Sequence, residues 1–230
     1  MIEIRHVSKS FGVVRALDDV CLRIEPGERV GFVGANGSGK TTLMRAMLAL
    51  VRVEGEVLVG GVDVARKPEL ALRSMAYIPQ VAPPIEAPVR EVVRAIAALR
   101  GVPDEVVATR ARRLGLDLGR VAPTRFRDLS GGMRQKLLAA LALASEAQVL
   151  VCDEPTANLD RTAREAFFEQ VAARSQNAIT VLCSHRVEEI EQLVDRVVDL
   201  EVGRIVRDGP AREVLSDLTM SDVPVLRLVR

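Results

Sequence analysis

The stretch "GANGSGKTT", Gly34 to Thr42, places three glycines within six residues and follows them with a lysine and two hydroxyls. It fits the phosphate-loop pattern, with Gly34, Gly39, Lys40 and Thr41 in register. The context fits as well, because the strand-like "RVGFV" precedes the loop and the helix-like "TLMRAMLALV" follows it. Glycines let successive backbone amides point inward at a phosphate, and the start of the following helix adds its positive end. In such a loop Lys40 reaches the β- and γ-phosphates of a nucleotide, and the Thr41 hydroxyl ligates Mg²⁺.

Outward from the loop, the apolar runs "RVGFV", "QVLVC" and "AITVLC" each lead through a loop into a helix-like stretch. This is the pattern of central parallel strands covered by helices, so the fold class is α/β. The first segments, "MIEIRHV" and "DDVCLRIEPGERV", alternate instead, and a turn at Pro26 and Gly27 is expected to join them into an antiparallel flanking sheet. Between Gln80 and about Ala147 the strand pattern disappears. There "VREVVRAIAALRG" repeats Val89, Val92, Val93, Ile96 and Leu99 at a helical period, which predicts an inserted helical subdomain. Pro79, Pro83, Pro84 and Pro88 crowd its entrance and argue for a stiff loop. Residues 1–80 and 147–230 then form a nucleotide-binding core, and 81–146 the insertion. After His185 the pattern predicts an amphipathic helix, two short strands around Gly203 and a helix from near Pro210.

With 230 residues and 48% hydrophobic composition, the chain can bury a full core. A net charge of +1, from 32 basic and 31 acidic residues, leaves no long-range field toward nucleic acid, and no nucleic-acid partner is expected. The longest uncharged apolar run, "LLAALALA", falls far short of the roughly 20 residues of a membrane span. A soluble cytosolic chain is the expectation. Cys21, Cys152 and Cys183 sit in strand-like runs without paired metal spacing, and read as buried reduced thiols.

"VLVCDEP" answers where a second metal ligand and a base would lie. A strand ending in Asp153 sets a carboxylate beside Mg²⁺, and Glu154 follows where it can polarise a water. Alone, the acidic pair is as readily a solvated turn; beside a phosphate loop it reads as chemistry. In "LSGGMRQK", Ser130 caps a helix beginning with Gly131 and Gly132, which by itself is an ordinary helix start with close backbone access for an anion. Of the two histidines, His6 lies on an edge-like first strand and reads as structural or exposed. His185 follows "AITVLC" at the strand end where open parallel sheets bind ligands.

In this order the motifs resemble the ATP-binding-cassette ATPases, the nucleotide-binding subunits of ABC transporters, over essentially the whole chain. "GANGSGKT" is similar to their Walker A loop, Gln80 in "YIPQ" to the Q-loop, "LSGGM" to the signature, "VLVCDEP" to Walker B, "ANLD" to the D-loop and His185 to the switch histidine. The resemblance implies ATP and Mg²⁺ as cofactors and the cassette phosphate-loop fold, with a mixed-sheet core, an antiparallel flanking sheet and a helical insertion. It implies nucleotide contacts from Phe11, Gly34, Asn36, Gly37, Ser38, Gly39, Lys40, Thr41, Thr42, Gln80, Ser130, Gly131, Gly132 and Asp160. Phe11 stands where an aromatic ring stacks on adenine. Thr41, Gln80 and Asp153 are the implied metal ligands, and Glu154, His185, Gln80 and Lys40 the implied catalytic set. Met133 replaces a frequent signature glutamine, and "ANLD" is not the most usual D-loop wording; neither change removes a phosphate contact.

The resemblance further implies a head-to-tail dimer with a second ATP-binding subunit, a homodimer, in which the signature of one copy meets the ATP of the other. An integral membrane permease subunit is the implied partner, holding the chain peripherally on the inner face of the cell membrane. The competing readings are a soluble ATPase of the same superfamily acting on ribosomes or DNA, and a phosphate-loop kinase or GTPase. One cassette with a short insertion speaks against the first, and the signature helix with its trailing histidine against the second.

Overall fold

The computed structural model describes residues 1–220. In chain order its first elements are β1 (Ile2–Phe11), β2 (Val14–Ile24), β3 (Arg29–Val33), α1 (Lys40–Met47), β4 (Glu54–Val59), β5 (Val62–Asp63), α2 (Pro68–Leu72) and β6 (Met75–Ile78). Then come α3 (Val89–Arg100), α4 (Asp104–Arg113), α5 (Leu118–Val121), a 3₁₀ turn at Phe126–Asp128 and α6 (Gly131–Ala144). The chain continues through β7 (Val149–Asp153), α7 (Arg161–Ala172), β8 (Ile179–Cys183), α8 (Val187–Leu193), β9 (Arg196–Glu201), β10 (Arg204–Pro210) and α9 (Ala211–Met220). Two compact units emerge: Met1–Met75 with Ser175–Arg230, described to residue 220, and Ala76–Arg174.

The first unit holds an antiparallel sheet in the order β2-β1-β4-β5. Its other strands are mixed: β3 pairs in parallel with β8 and β9, and β9 antiparallel with β10. From Val30 to Val33 and from Ile179 to Cys183 every residue is buried, the signature of strands covered on both faces. α1 buries Leu43, Met44, Ala46 and Met47, three of them on one side of a turn and a half.

β1 and β2 alternate only in part. Burial runs Ile2, Ile4 and then Val7 on β1, and Leu17 and then Val20 on β2. Each three-residue step is a bulge: the register slips between Ile4 and Val7 and again between Val7 and Lys9. His6 and Asp19 sit in these slips with φ of 52° each. β1 lies between β2 and β4, so His6 is on an inner strand and not on an edge. The hairpin joining β1 to β2 turns at Gly12 and Val13, because Phe11 pairs with Val14. Pro26 and Gly27 instead form the turn from β2 into β3, where Glu28 N–H donates to the Glu25 carbonyl at 3.2 Å. Gly27 has φ 89°, as the third position of a Pro-Gly turn demands. Arg196 fastens this corner. Its guanidinium grips Asp208 through two bonds of 2.7 Å, reaches both Glu28 oxygens at 3.1 Å and donates to the Arg23 carbonyl at 2.9 Å.

The second unit contains β6, β7 and the helices α3 to α7. The prolines at its entrance do hold an extended segment. It is pinned to the chain ahead of the signature: Phe126 N–H donates to Ala87 O at 3.0 Å, Arg127 N–H to Ile85 O at 3.1 Å, and Val89 N–H to Thr124 O at 2.9 Å. α3 spans the expected helix, but its buried stripe is Val89, Val92, Val93 and Ala97; Ile96 is half-buried and Leu99 is 81% exposed. α6 is buried along most of its length, from Gln135 through Ala144, and packs against α4. Cys152 and Cys183 are buried as expected, whereas Cys21 is exposed, because it lies on the outward face of β2.

Candidate functional site

In the first unit the chain leaves β3 at Val33 and folds into the loop before α1. Gly34, Gly37 and Gly39 all have positive φ, at 131°, 82° and 111°. A Cβ on Gly34 would stand 2.2 Å from the Leu200 carbonyl, and one on Gly39 2.5 Å from the Ala16 carbonyl. These two glycines therefore let the loop lie against neighbouring backbone, whereas Gly37 faces open space. Ser38 is buried and anchors the loop, its N–H donating to Ala35 O at 3.1 Å and its carbonyl accepting from Gly203 N–H at 2.9 Å. Asn36 and Gly37 are left exposed at the rim.

Lys40 folds back over the loop, its ammonium donating to Gly34 O at 2.8 Å and to Ala35 O at 2.9 Å. α1 starts at Gly39 with no side chain capping it and no acidic residue in its first turn. Its leading amides, with Thr41 and Thr42 among them, are thus left for an acceptor from outside. Free helix-end amides, a lysine and a glycine-shaped loop are the complement of a polyphosphate. Asp199, opposite Val33 on β9, is buried with Oδ2 lacking a hydrogen bond. Desolvation pushes its carboxyl up, and Glu201 adds to that, while Arg207 and Lys40 act in the opposite sense.

His185 is exposed just past the end of β8. Its turn is braced from within: Ser184 Oγ donates to the buried Glu189 at 2.8 Å and accepts from Arg186 N–H at 3.1 Å. Phe11, at the β1–β2 hairpin, is 53% exposed, with the Lys9 ammonium 5.0 Å from its ring centre.

In the second unit β7 is buried throughout and ends in Asp153. Glu154 follows at φ 50°, a left-handed conformation that turns the chain sharply and redirects the carboxylate from the strand's alternation. Both carboxylates are buried, at 2% and 9% exposure, so the segment is not a solvated turn. Ser130 caps α6, its Oγ accepting from Met133 N–H at 3.2 Å; the backbone of Met133 makes this contact, so its side chain is free to differ. A Cβ on Gly132 would stand 2.9 Å from Asn158 O, so the helix start and the "ANLD" segment lie close together. Asp160 caps α7 through Ala163 N–H at 2.8 Å and pairs with Lys136 at 2.6 Å. The Lys136 hydrogen bond and the Ala163 amide hold the Asp160 carboxyl below its ordinary range. Gln80 is exposed just beyond β6, where the proline-rich segment begins.

Sequence reasoning missed the supports. Gln135 is buried and donates to Pro155 O at 3.0 Å, beside the two carboxylates in the chain, and Glu189 holds the turn of His185. Flanked by Arg134 and Lys136, Gln135 reads in sequence as one more polar residue of an exposed first turn. Thr41 in the first unit, and Gln80 and Asp153 in the second, each carry a hard side-chain oxygen, the kind of ligand that suits Mg²⁺.

A strand, a phosphate loop and a helix start, with a second strand ending in buried acids, define a nucleotide-binding α/β protein. A model of the family described as ABC transporter matches residues 17–157. Nod factor export ATP-binding protein I of Rhizobium etli is 33% identical over 230 residues, covering 96% of this chain and 72% of the relative. Among solved structures, "Structure of ATP binding subunit of ABC transporter" superposes with TM-score 0.83 and 26% identity, covering 97% of this chain and 95% of the other. The dimeric ATP-binding cassette MJ0796, in a post-hydrolysis state with ADP and Pi, shares the fold at TM-score 0.80 and 23% identity, covering 92% of this chain and 99% of the other. The chain belongs to the ABC transporter family, and its motifs are those of the ATP-binding subunit.

Proposed function

We propose that the chain is a Mg²⁺-dependent ATPase that drives substrate translocation by a separate integral membrane permease subunit, working as a head-to-tail homodimer. The observation that carries the reading is the uncapped, glycine-shaped loop with Lys40 curled into it. Bound ATP and Mg²⁺ would supply the phosphoanhydride and the charge neutralisation for its cleavage. Lys40 would leave the loop carbonyls for the terminal phosphates, and the amides from Gly34 to Thr42 would hold them. Thr41, Asp153 and Gln80 would ligate the metal, Glu154 would orient and polarise the attacking water, and His185 would hold the terminal phosphate. Phe11 would stack on the adenine. Ser130, Gly131 and Gly132, with Asp160, would serve the nucleotide of the other copy. In this division 81–146 is the signature-bearing insertion in a core of 1–80 and 147–230.

No helix among the described residues is long and apolar enough to cross a membrane, so the translocation path would belong to the partner, and the chain would sit peripherally at the inner face of the cell membrane. A relative named for export and spanned over most of its length supports transport over action on ribosomes or DNA. Glu154→Gln tests the reading: the variant should bind ATP normally, lose most phosphate release and accumulate as an ATP-bound dimer in size-exclusion chromatography. Phosphate release at the unmodified rate would overturn the assignment.

A further inference from the structure

Apart from the nucleotide motifs, one set of chemically able side chains among the described residues lies on the outer face of the β1–β2 sheet. The donor atoms of His6, Asp19 and Cys21 all lie within 4.8 Å of one another, and all three residues are exposed. His6 Nδ1 is 2.9 Å from Asp19 Oδ1 and 3.6 Å from Cys21 Sγ, and the His6 backbone N–H donates to that sulfur at 3.3 Å. The arrangement depends on the two facing bulges, which put His6 and Asp19 at φ 52° and turn both side chains toward Cys21.

A thiol, an imidazole and a carboxylate could instead form a nucleophilic relay, but a relay runs through both ring nitrogens, one for the thiol and the other for the acid. Here the same nitrogen, Nδ1, faces both partners. Three donor atoms this close together are within reach of one cation. Tetrahedral zinc, with bonds of about 2.0–2.1 Å to nitrogen and oxygen and about 2.3 Å to sulfur, needs nitrogen–sulfur separations near 3.5 Å and nitrogen–oxygen separations near 3.4 Å. The first is already met, and the second needs the His–Asp hydrogen bond to open by about half an ångström.

We propose that His6, Asp19 and Cys21 form a three-ligand site for a divalent transition-metal cation of borderline softness, zinc(II) above all, with the fourth position left to water. On binding, the Cys21 thiol releases its proton to solvent, and His6 ligates through an unprotonated Nδ1 while keeping its proton on Nε2. A thiolate and a carboxylate then balance the charge of the ion. The ion ties β1 to β2 across the bulges, where ladder hydrogen bonds are interrupted.

The experiment uses the full chain without nucleotide, because ATP itself chelates metals. Cys21 is the exposed thiol of the three; Cys152 and Cys183 are buried, and burial pushes the Cys152 thiol up to about 12, so neither should alkylate while the protein is folded. Cobalt(II) should produce a thiolate charge-transfer band, and stoichiometric zinc should slow iodoacetamide labelling of Cys21, mapped by mass spectrometry, by about tenfold or more. His6→Asn is the control variant, since asparagine accepts the left-handed backbone but removes the imidazole. It should label at the wild-type rate without metal and lose most of the zinc protection, with Cys152 and Cys183 silent as the sign of an intact fold. No charge-transfer band and no protection by zinc would overturn the site, and so would protection undiminished in His6→Asn, which would mean a thiol acting alone.

Discussion

Gly34 and Gly37 stand three residues apart in one loop, both at positive φ, yet a methyl group would act differently on each. At Gly34 it meets the Leu200 carbonyl and Ser38 Oγ; at Gly37 it meets nothing. Gly37→Ala should therefore cost only the left-handed backbone, about 1 kcal/mol, whereas Gly34→Ala should cost upward of about 3 kcal/mol and distort the loop as well. Urea midpoints together with ATP affinity check this, and equal losses at the two positions would refute it. The sequence spacing made the loop legible, but it gave all three glycines one role. Which glycine avoids a clash and which only turns the chain depends on β9 and β2, strands remote in sequence whose carbonyls approach the loop.

α6 shows the same division at the scale of an element. Its start was readable from Ser130, whose cap is formed as expected. Its buried sides were not, because "LLAALALA" is apolar all round and carries no face for periodicity to report. Gln135 passed unnoticed because it stands ahead of that run between Arg134 and Lys136, although it fastens the helix to the segment that carries Glu154. Gln135→Leu keeps the bulk but strands the buried Pro155 carbonyl, which should cost about 1–3 kcal/mol. Because that carbonyl adjoins Glu154, phosphate release should fall more than ATP affinity; a loss confined to affinity would contradict the assignment. In α3 the helix was legible and its stripe was off by a fraction of a turn, since Ala97, too small to count as a strong apolar mark, is buried in place of Leu99. On β1 a warning was present in the sequence: two polar residues, Arg5 and His6, separate Ile4 from Val7, where strict alternation allows one.

For the whole molecule, the phosphate loop belongs to one compact unit and the signature helix to the other, and each has its own helix start with amides to offer. One phosphate group does not need both from the same chain, which is the physical argument for sharing between copies. A mixed dimer tests it. With Ser130→Glu on one chain and Lys40→Ala on the other, sharing places both lesions on the same nucleotide site and leaves the second site intact. ATP-driven dimerisation should then partly survive in the mixture and fail in either single-variant homodimer, as read by light scattering. If each chain instead serves its own nucleotide, both sites in the mixture are damaged and it should behave like the single variants. The order of the motifs made the cassette legible, and the two compact units divide the chain after Met75 and before Ser175.

Glu154 is held at φ 50°, a conformation that favours glycine by about 1 kcal/mol or more. Glycine there would relax the backbone, so a library of variants sorted for heat resistance alone should enrich a substitution that, on the role proposed for Glu154, costs turnover. On that role, durability and work are opposed at this position.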